Sequence, residues 1–299
     1  MSEPSIRRVG FVVHHGRPRA VAVATALAER LRECGVPGRA LDQDVGTGEV
    51  RPAESFPGGL DLVVSIGGDG TLLRAARLAD RAAGAPLLAI NVGRVGFLTE
   101  VGPDDAIQAL DEVLGDEAVV EERLALTAES ERAPWDEPQW ALNEVIVEKK
   151  ARHRLVTIAC TVDGVPLTTY SADGVIVSTP TGSTAYSFSA QGPIVSPRVS
   201  CLLLTPVAPH MLFDRPVLLA PDETVTLQVL GDEPALLSAD GRPPVDLPVG
   251  ARVRVRAAPR PVRLVRRKGS PSFYAVLREK FALPAGQAPH GPELAGPLG

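Results

Sequence analysis

Apolar positions in the first 118 residues follow two different periods that alternate along the chain. Short continuous apolar runs are typical of strands buried on both faces, and runs in which apolar residues return every three to four positions are typical of amphipathic helices. Strands that alternate with helices predict a mostly parallel sheet covered on both faces, with ligands bound where the strands end. The predicted strands are residues 8–13, 38–41, 60–66 and 86–92, and the predicted helices are residues 20–34, 71–83 and 104–114.

In the rest of the chain the pattern changes to short β-branched runs separated by turn residues. Asp163-Gly164 and Asp240-Gly241 are dipeptides that favour the backbone conformations of tight hairpin turns. This pattern predicts an antiparallel β domain, followed by a helix near residues 272–281. The last residues are rich in Pro, Gly and Ala and have little to bury, so we expect them to be disordered. The predicted units are an α/β domain at residues 1–118, a β domain at 119–268, a helical segment at 269–283 and a tail at 284–299.

The overall composition excludes some classes of function. With 299 residues, of which 44% are apolar, the chain is long enough for about two domains with substantial cores. A formal net charge of -5 and an aromatic content of only 4% argue against a protein that binds nucleic-acid backbones or lies on a membrane surface through basic residues. We therefore expect neither nucleic acid nor membrane among its partners.

The cysteines and the N-terminus indicate the compartment. Cys34, Cys160 and Cys201 are odd in number and widely spaced, so they support neither a disulfide framework nor a zinc site. The first residues lack the charged and apolar regions of a signal peptide, and no apolar run approaches the roughly 18 residues of a membrane span. We expect a cytoplasmic protein in which Cys160 and Cys201 are small core residues.

The run Gly67-Gly68-Asp69-Gly70-Thr71 directly follows a predicted strand. Its glycines let the backbone approach a ligand closely, and the N–H groups that begin the next helix can bind phosphate oxygens. The carboxylate by itself would repel phosphates, so we expect it to act through a metal ion or to accept a proton from the group being phosphorylated. A glycine-rich turn with an N-capping side chain is the alternative without a function. No GxxxxGK[ST] run exists, which excludes a P-loop.

Two further motifs lie in the second half of the chain. Residues 173–189 carry many hydroxyl groups, which suit ribose and phosphate oxygens, and Tyr186 offers an aromatic face to a base. Asn143-Glu144 precedes a predicted strand, and an amide beside a carboxylate can grip a vicinal diol. Both have plainer explanations, because Ser/Thr-rich loops and this dipeptide are common.

Histidines and basic runs are further candidates for contact with a phosphate or another anion. His14-His15, at the end of the first predicted strand, could meet a phosphate, but exposed histidines of a surface loop are the more frequent case, and we expect that here. His210 is expected to be a structural turn residue. Basic runs at residues 149–154 and 263–268 are expected to be solvated faces, from which one or two side chains could contact an anionic cofactor.

Taken together, the motifs resemble those of one enzyme family. GGDGT, NVGRVGFLTE, LNE, DGVIVSTPTGSTAYSFSAQGPIVSP, LTPVAPHMLFDRP and SFYAVLREKF occur in this order, as in NAD kinases, which use ATP to convert NAD to NADP. The resemblance extends from the first predicted strand to about residue 281. GGDGT alone is shared with diacylglycerol-type lipid kinases and is similar to a phosphofructokinase turn. The TPTGSTAYS block joined to LNE is much more specific.

The resemblance implies a fold and a reaction. The fold would be a Rossmann-like α/β N-terminal domain and a β-sandwich C-terminal domain, with NAD between them and a final helix that returns to the first domain. The γ-phosphoryl group of ATP, or one from polyphosphate, would be transferred to the 2′-hydroxyl of the adenosine ribose of NAD, with Asp69 as general base. Mg²⁺ or another divalent cation would be the cofactor, with no metal ligand assigned, and the protein would form homodimers or homotetramers.

The same resemblance implies which residues bind the substrates. The implied NAD contacts are Asp69, Gly70, Arg74, Asn143, Glu144, Arg154, Asp173, Thr181, Thr184, Ala185, Tyr186, Ser187, Ser189, Ala208 and Arg242. Gly67, Gly68, Gly70 and Thr71 are expected at the ATP phosphates. Two positions depart from the family pattern, because Ser171 stands where some members have a basic residue and Gln191 replaces a common glycine.

Two rival classes share part of these features. A lipid or sugar kinase would have the GGDGT run but would leave the TPTGSTAYS block unexplained. A dinucleotide sensor without catalytic activity would keep LNE and TPTGSTAYS and could dispense with the carboxylate of GGDGT. The presence of Asp69 favours an enzyme.

Overall fold

The computed structural model describes residues 6–93, 96–98, 101–132 and 138–284 of the chain. Of the predicted tail, all but Pro284 lies outside these ranges. The helices are α1 (Pro18–Glu33), α2 (Asp69–Arg81), α3 (Ala106–Leu114), α4 (Tyr186–Ser189) and α5 (Phe273–Lys280), with 3₁₀ turns at Pro103–Asp105 and Thr181–Thr184. The strands are β1 (Val9–Val13), β2 (Gly38–Leu41), β3 (Val50–Arg51), β4 (Leu62–Gly67), β5 (Leu87–Asn91), β6 (Val119–Arg123), β7 (Leu126–Glu129), β8 (Gln139–Ala141), β9 (Glu144–Lys149), β10 (Val156–Val162), β11 (Val165–Ala172), β12 (Gly174–Ser178), β13 (Leu202–Val207), β14 (Val217–Leu219), β15 (Val225–Leu230), β16 (Ala235–Ala239), β17 (Val245–Leu247), β18 (Arg252–Ala257) and β19 (Val262–Arg266).

The first sheet has the strand order β3-β2-β1-β4-β5-β19-β6. Its strands pair in parallel, except that the edge strand β6 is antiparallel to β19. Apolar side chains leave both faces of each central strand, so helices cover both faces. Phe11 and Leu27 belong to a core formed with α1 and α3, and Leu72 and Leu87 belong to a second core formed with α2. The predicted α/β domain is confirmed.

The first sheet also contains β6 and β19, whose residues fall within the predicted second domain, 119–268. The reason is visible in β19, where Val262 and Leu264 pack into the core on one face of the sheet and Val265 into the core on the other. A strand with apolar residues on both faces suits the middle of a covered parallel sheet. The chain therefore leaves the first sheet through β6 and returns to it through β19.

The second and third sheets form a β-sandwich. Their strand orders are β11-β10-β15-β18-β7-β8 and β14-β13-β12-β9-β16-β17, and all their pairings are antiparallel. Alternate residues of each strand enter one shared core, for example Leu227 from the second sheet and Val175 and Val177 from the third. Cys160 lies in this core and Cys201 in a small separate cluster, as expected. The predicted antiparallel β domain is confirmed.

Both Asp-Gly dipeptides form the tight turns predicted from the sequence. Asp163 and Gly164 have φ values of 48° and 80° and join β10 to β11, and Asp240 and Gly241 have φ values of 50° and 64° in the connection between β16 and β17. Positive φ at both central residues matches the twist of adjacent antiparallel strands. The second of these turns also contributes to the candidate site.

Helix α5 returns to the first domain after β19. The Ser272 side chain caps its N-terminus by accepting a hydrogen bond of 3.3 Å from the backbone N–H of Ala275. Beyond its C-terminus, the ring of Phe281 lies 6.2 Å from that of Phe97 and 5.0 Å from that of Phe188. The C-terminal segment therefore contacts both the first domain and the hydroxyl-rich segment of the second.

Helix α2 differs from its predicted span at both ends. It begins two residues before the predicted start because Gly68, in an extended conformation, is already the N-cap. It ends at Arg81, and Ala83 and Gly84 follow with φ values of 56° and 78°, which a helix cannot continue through. Within the described ranges, no helix is both long and apolar enough to cross a membrane.

Candidate active site

Asp69 is the first residue of α2, at the end of β4. The N–H of Thr71 makes the first hydrogen bond of the helix, 3.0 Å long, to the carbonyl of Gly68. The N–H groups of Asp69 and Gly70 therefore come before the first hydrogen bond within the helix. The Thr71 side chain packs so tightly on Gly67 that a Cβ there would overlap its hydroxyl oxygen. This close turn directs backbone N–H groups and the positive end of the helix dipole into the space in front of the N-terminus of α2.

A cavity of about 640 Å³ opens at this turn. Its lining comes from residues 13–17, which follow β1, from residues 68–71, and from Arg74 on the next turn of α2. Arg74 also forms an ion pair with Asp42, at 2.5 Å. The cavity therefore lies at the carboxyl ends of neighbouring parallel strands, where ligands bind in α/β sheets.

Gly96 presses against the Asp69 carboxylate. A Cβ built on Gly96 would overlap both carboxylate oxygens. A side chain at this position would therefore push the carboxylate out of place. Gly96 belongs to the NVGRVGFLTE run, whose residues 94, 95, 99 and 100 lie outside the described ranges.

Helix α2 links Asp69 to the second domain. Leu72, Ala76 and other residues of its buried face pack in the same core as Trp140 and Leu142, and α2 contacts β8 directly. Leu142 is followed immediately by Asn143-Glu144. One rigid helix therefore carries the acidic residue at its N-terminus and holds the start of the Asn-Glu pair against its side.

The Asn143-Glu144 segment is held on one side by Asp240. Its carboxylate accepts hydrogen bonds from the backbone N–H groups of Leu142 (2.8 Å), Asn143 (2.8 Å) and Glu144 (3.2 Å). The N–H of Asp240 donates in return to the carbonyl of Glu144, at 3.0 Å. Burial raises the pKa of Asp240, and the three N–H donors and Arg242 act in the opposite direction.

The segment is held on its other side by the residues that follow β12. The Thr179 hydroxyl donates to the carbonyl of Leu142 at 2.6 Å, and the Thr179 N–H donates to the carbonyl of Asn143 at 2.9 Å. Gly182 lies directly on the backbone of Asn143, where any Cβ would overlap it. The LNE and TPTG motifs, 35 or more residues apart in sequence, thus form one packed unit.

Glu144 is a second carboxylate of this unit whose pKa is raised. Burial, reinforced by the negative charge of Asp240, raises its pKa to about 7, and a backbone hydrogen bond from Tyr186 acts in the opposite direction. Its Oε2 atom is shielded from solvent and has no hydrogen-bond partner among the described residues. Buried carboxylate oxygens without donors are costly, so this atom is suited to receive a donor from a ligand.

The hydroxyl-rich segment lies over the outer face of the third sheet. Ser187 is fully buried, and its hydroxyl shares a hydrogen bond of 2.9 Å with that of Thr205 on β13. Tyr186 is 40% exposed, and burial together with the charges of Glu148, Asp173 and Glu144 raises its pKa. The phenol ring therefore lies within reach of carboxylates at both ends of β12.

The other end of β12 carries a second group of predicted residues. Asp173 pairs with Lys149 at 2.5 Å, and its N–H donates to the carbonyl of Val207, next to Ala208, at 2.9 Å. Because four residue-to-residue steps of about 3.3 Å separate the two ends of β12, this group lies about 13 Å from the Glu144 end. A molecule bound along β12 could contact both groups only if it were as extended as a dinucleotide.

Several predicted residues have protein partners. Arg242 donates from all three of its side-chain nitrogens, to the carbonyl of Ala239, the Gln139 side chain and the carbonyl of Trp140. Arg154 pairs with Glu233 at 3.0 Å. The remaining predicted residues are placed as follows: Thr181 is buried and its hydroxyl accepts a hydrogen bond from Arg123, the Thr184 hydroxyl donates to the carbonyl of Thr181, and Ala185 and Ser189 lie just before and at the end of α4.

Gln191 occupies a strained position just after α4. Its φ of 65° lies in the left-handed region that favours glycine, so the glycine common in related sequences has a conformational reason. Ala208 has a similar φ of 43°. A non-glycine residue in this region costs of order 1 kcal/mol, which the packing around Ser187 must offset.

Comparison with known proteins agrees with this geometry. The ATP-NAD kinase N-terminal domain model matches residues 9–118, and the ATP-NAD kinase C-terminal domain model matches residues 142–267. NAD kinase 2 of Streptomyces coelicolor is 41% identical over 303 residues, covering 97% of this chain and all of that protein. The NAD kinase of Leifsonia xyli subsp. xyli is 42% identical, covering 93% of this chain and 95% of its own length.

The chain belongs to the NAD kinase family. It is an enzyme that transfers a phosphoryl group from ATP to NAD. A crystal structure of yeast NADH kinase complexed with NADH superposes with a TM-score of 0.83 at 25% identity, covering 94% of this chain and 88% of that one. An NAD kinase from Archaeoglobus fulgidus in complex with ATP gives 0.69 at 28% identity, covering 86% and 92%.

Two residues of the site were not assigned a role from the sequence. Gly96 lies in a quoted motif, but only the folded chain shows that it contacts the Asp69 carboxylate. Asp240 was noted only as part of a hairpin turn, because nothing in the sequence indicates that its carboxylate reaches residues about 100 positions away. Within the described ranges, no cluster of three or more His, Cys, Asp or Glu side chains suited to hold a metal occurs.

We expect the replacement Gly96→Ala to reduce NADP formation by at least about tenfold, since the new methyl group would displace the Asp69 carboxylate. The turnover number with saturating NAD and ATP is the measurement. Gly102→Ala is the control, because its Cβ would meet no atom closer than the Asp105 side chain at 3.8 Å and its φ of -70° is ordinary. Equal activity in both variants would contradict the contact.

We expect Glu144→Gln to stabilise the ligand-free protein more at pH 8 than at pH 5. The folded chain retains the Glu144 proton up to about pH 7, whereas the unfolded chain loses it near 4.5, so wild-type stability falls as the pH rises through this window. Thermal unfolding at both pH values measures the difference. The 90% exposed Glu131 provides the control substitution Glu131→Gln. A gain of the same size at both pH values would show that Glu144 is not perturbed.

Proposed function

We propose that Asp69 is the general base that accepts the proton of the 2′-hydroxyl of the adenosine ribose of NAD. One observation carries the proposal: Asp69 opens α2 at the cavity, and the same helix packs on Trp140 and Leu142, which lead into Asn143-Glu144. The position of the base relative to the proposed ribose-binding pair is therefore fixed by a helix buried on two sides.

Asn143 and Glu144 would hold the ribose. The Oε2 atom of Glu144 has no partner among the described residues, and a ribose hydroxyl would supply the missing donor. From there NAD would extend along β12, beneath Tyr186, towards Asp173 and Ala208. The family member from yeast that binds NADH has the same fold over 94% of this chain, which supports this placement.

The phosphate chain of ATP would lie at the turn of residues 67–71. The backbone N–H groups of Asp69 and Gly70 precede the helical pattern, and the helix dipole adds to their attraction for anions. The phosphoryl-transfer transition state is loose, and the attacking hydroxyl keeps its proton until late, so the weak basicity of a carboxylate is sufficient. Its contribution would be about 10²- to 10⁴-fold in rate.

A divalent cation such as Mg²⁺ fits this arrangement. Mg²⁺ is commonly held by one or two carboxylates together with substrate phosphates, and the cavity offers Asp69 beside the proposed phosphate site. When bound, the ion would neutralise charge on the transferred phosphoryl group. Asp69 would then lie beside the ion and also orient the ribose hydroxyl.

The thiols support a cytoplasmic location. Cys34 is exposed, Cys160 and Cys201 are buried, and all three are free. Burial raises the pKa of Cys160 to about 12, so its thiol stays neutral and unreactive at cellular pH. A reducing compartment, the cytoplasm, would keep the exposed Cys34 thiol from being oxidised to a disulfide.

We expect the enzyme to self-associate as a homodimer or homotetramer. Leu212 is wholly exposed and Phe213 is 40% exposed in the connection from β13 to β14, and Leu218 is 53% exposed on β14, an edge strand of the third sheet. Exposed apolar side chains at a sheet edge suit an interface between subunits. Light scattering of the purified protein should give two or four times 31.5 kDa, and Leu212→Glu should lower that mass. A monomeric wild type would contradict the expectation.

We expect Asp69→Asn to lower the turnover number for NADP formation by at least about a hundredfold while NAD still binds. The carboxamide has the same shape but accepts no proton. A coupled assay measures NADP, and titration calorimetry measures NAD binding. Turnover close to that of the wild type would eliminate the role of Asp69 as base.

Glu144→Gln is the contrasting variant in the same assay. It should leave the turnover number nearly unchanged and raise the Michaelis constant for NAD by about tenfold, since one hydrogen bond to a charged group is weakened. A change confined to the constant for ATP would show that Glu144 does not contact the ribose.

A further inference from the structure

The loop that follows β1 forms one wall of the cavity at Asp69, and neither the family motifs nor the proposed roles account for it. Strands β1 and β4 are parallel neighbours in which Val13 lies opposite Ile66. The N–H of His14 donates to the carbonyl of Ile66 at 3.0 Å, which ties this loop to the strand that ends in the Gly67 turn. The two loops therefore leave the sheet side by side and face the same space.

Arg17 is the cation of this loop. It is the N-cap residue of α1, and its backbone is fixed by hydrogen bonds from its N–H to the carbonyl of His14 and from Ala20 to its own carbonyl. The guanidinium lies so close to Gly93, just beyond the end of β5, that a Cβ there would nearly touch its Nη1. The Arg17 side chain makes no hydrogen bond or ion pair with any residue in the described part of the chain. A positioned, unpaired guanidinium in a cavity is suited to bind an anion.

His15 adds a second polar group to this wall. Its side chain is half-buried, and its Nε2 atom is shielded from solvent without a hydrogen-bond partner among the described residues. A shielded imidazole nitrogen without a partner costs free energy unless a ligand satisfies it. His14, by contrast, is exposed, as expected for a surface loop.

The charges around the cavity favour a polyanion. Its described lining carries the cations Arg17 and Arg74, of which Arg74 is paired with Asp42, and a single carboxylate, Asp69. Among the lining residues that the structure describes, Val13 has the only apolar side chain, so this part of the cavity offers phosphate-directed groups and little surface for a base. The described lining residues all belong to the first domain, whereas the proposed NAD contacts beyond Asp69, Gly70 and Arg74 belong to the second.

We propose that the loop of residues 14–17 is the second wall of the phosphoryl-donor site, where Arg17 and His15 bind the phosphate chain of the donor opposite the turn of residues 67–71. The inference rests on the proposed function, because it assigns this cavity to the donor. It replaces the expectation that His15 is simply a surface-loop residue. The bound chemistry is a chain of phosphates, which ATP and inorganic tripolyphosphate share.

Arg17→Gln tests the proposal. The variant should raise the Michaelis constant for ATP by about ten- to a hundredfold and leave the constant for NAD within about twofold, since a charge-assisted hydrogen bond to phosphate is lost. Inorganic tripolyphosphate should compete with ATP in the wild type and compete at least about tenfold less well in the variant. Calorimetric titration of ATP into the protein without NAD provides a readout that does not depend on turnover.

Arg19→Gln is the matched control. It removes the same charge two residues further along α1, from a side chain that is 61% exposed and paired with Asp104 at 3.2 Å, so its constants should equal those of the wild type. His15→Asn should raise the constant for ATP by about fivefold, a smaller effect because one neutral hydrogen bond is lost. Thermal unfolding of each variant establishes that it is folded.

The outcomes separate this inference from the proposed function. Unchanged ATP affinity in Arg17→Gln, or a rise in the constant for NAD instead, would overturn the assignment of the loop while wild-type NADP formation still stood. Turnover of Asp69→Asn close to that of the wild type would instead refute the proposed function, because Asp69 would then not be the base. A calorimetric affinity for ATP that is lower in Arg17→Gln but unchanged in Arg19→Gln would still support the phosphate site.

Discussion

The shared burial of helix α2 is the constraint on which the rest of the structure depends. The helix is short, with 13 residues, yet its apolar face packs both on the first sheet and on Trp140 and Leu142 of the second domain. Small residues such as Ala75, Ala76 and Ala79 allow this close approach. Because the proposed base lies at one end of the helix and the proposed ribose-binding pair lies against its side, neither can move without disturbing a core.

The Asn143-Glu144 segment shows how polar groups are arranged inside that constraint. Asp240 and Thr179 together satisfy its backbone from two sides, and this leaves the Glu144 side chain as the group without a full set of partners. Burial of the Glu144 carboxylate, reinforced by the nearby negative charge of Asp240, raises its pKa to about 7, and this arrangement is unfavourable for folding. We interpret the unfavourable arrangement as the mark of a binding site, because a ligand can supply the hydrogen-bond donor that the Glu144 carboxylate lacks.

Glycines contribute to the site in two different ways. The sequence suggested that the glycines of GGDGT serve close approach to phosphate, and Gly68 and Gly70 indeed have open space where a Cβ would be. Gly67, Gly96 and Gly182, however, are needed because protein atoms occupy that space, namely those of Thr71, Asp69 and Asn143. The same residue type thus leaves open space at some positions and makes room for other protein atoms at others.

The sequence by itself determined the alternation of strands and helices, the change to antiparallel strands, the two Asp-Gly turns and the location of the acidic turn, because these depend on local periodicity and backbone preference. It also placed Asp69, Asn143 and Glu144 in motifs close enough to the family pattern to be recognised. Only the tertiary structure decided that β19 joins the first sheet, that Asp240 holds the Asn-Glu pair and that Arg17 and His15 face Asp69. These facts depend on contacts between distant segments, which local patterns do not encode.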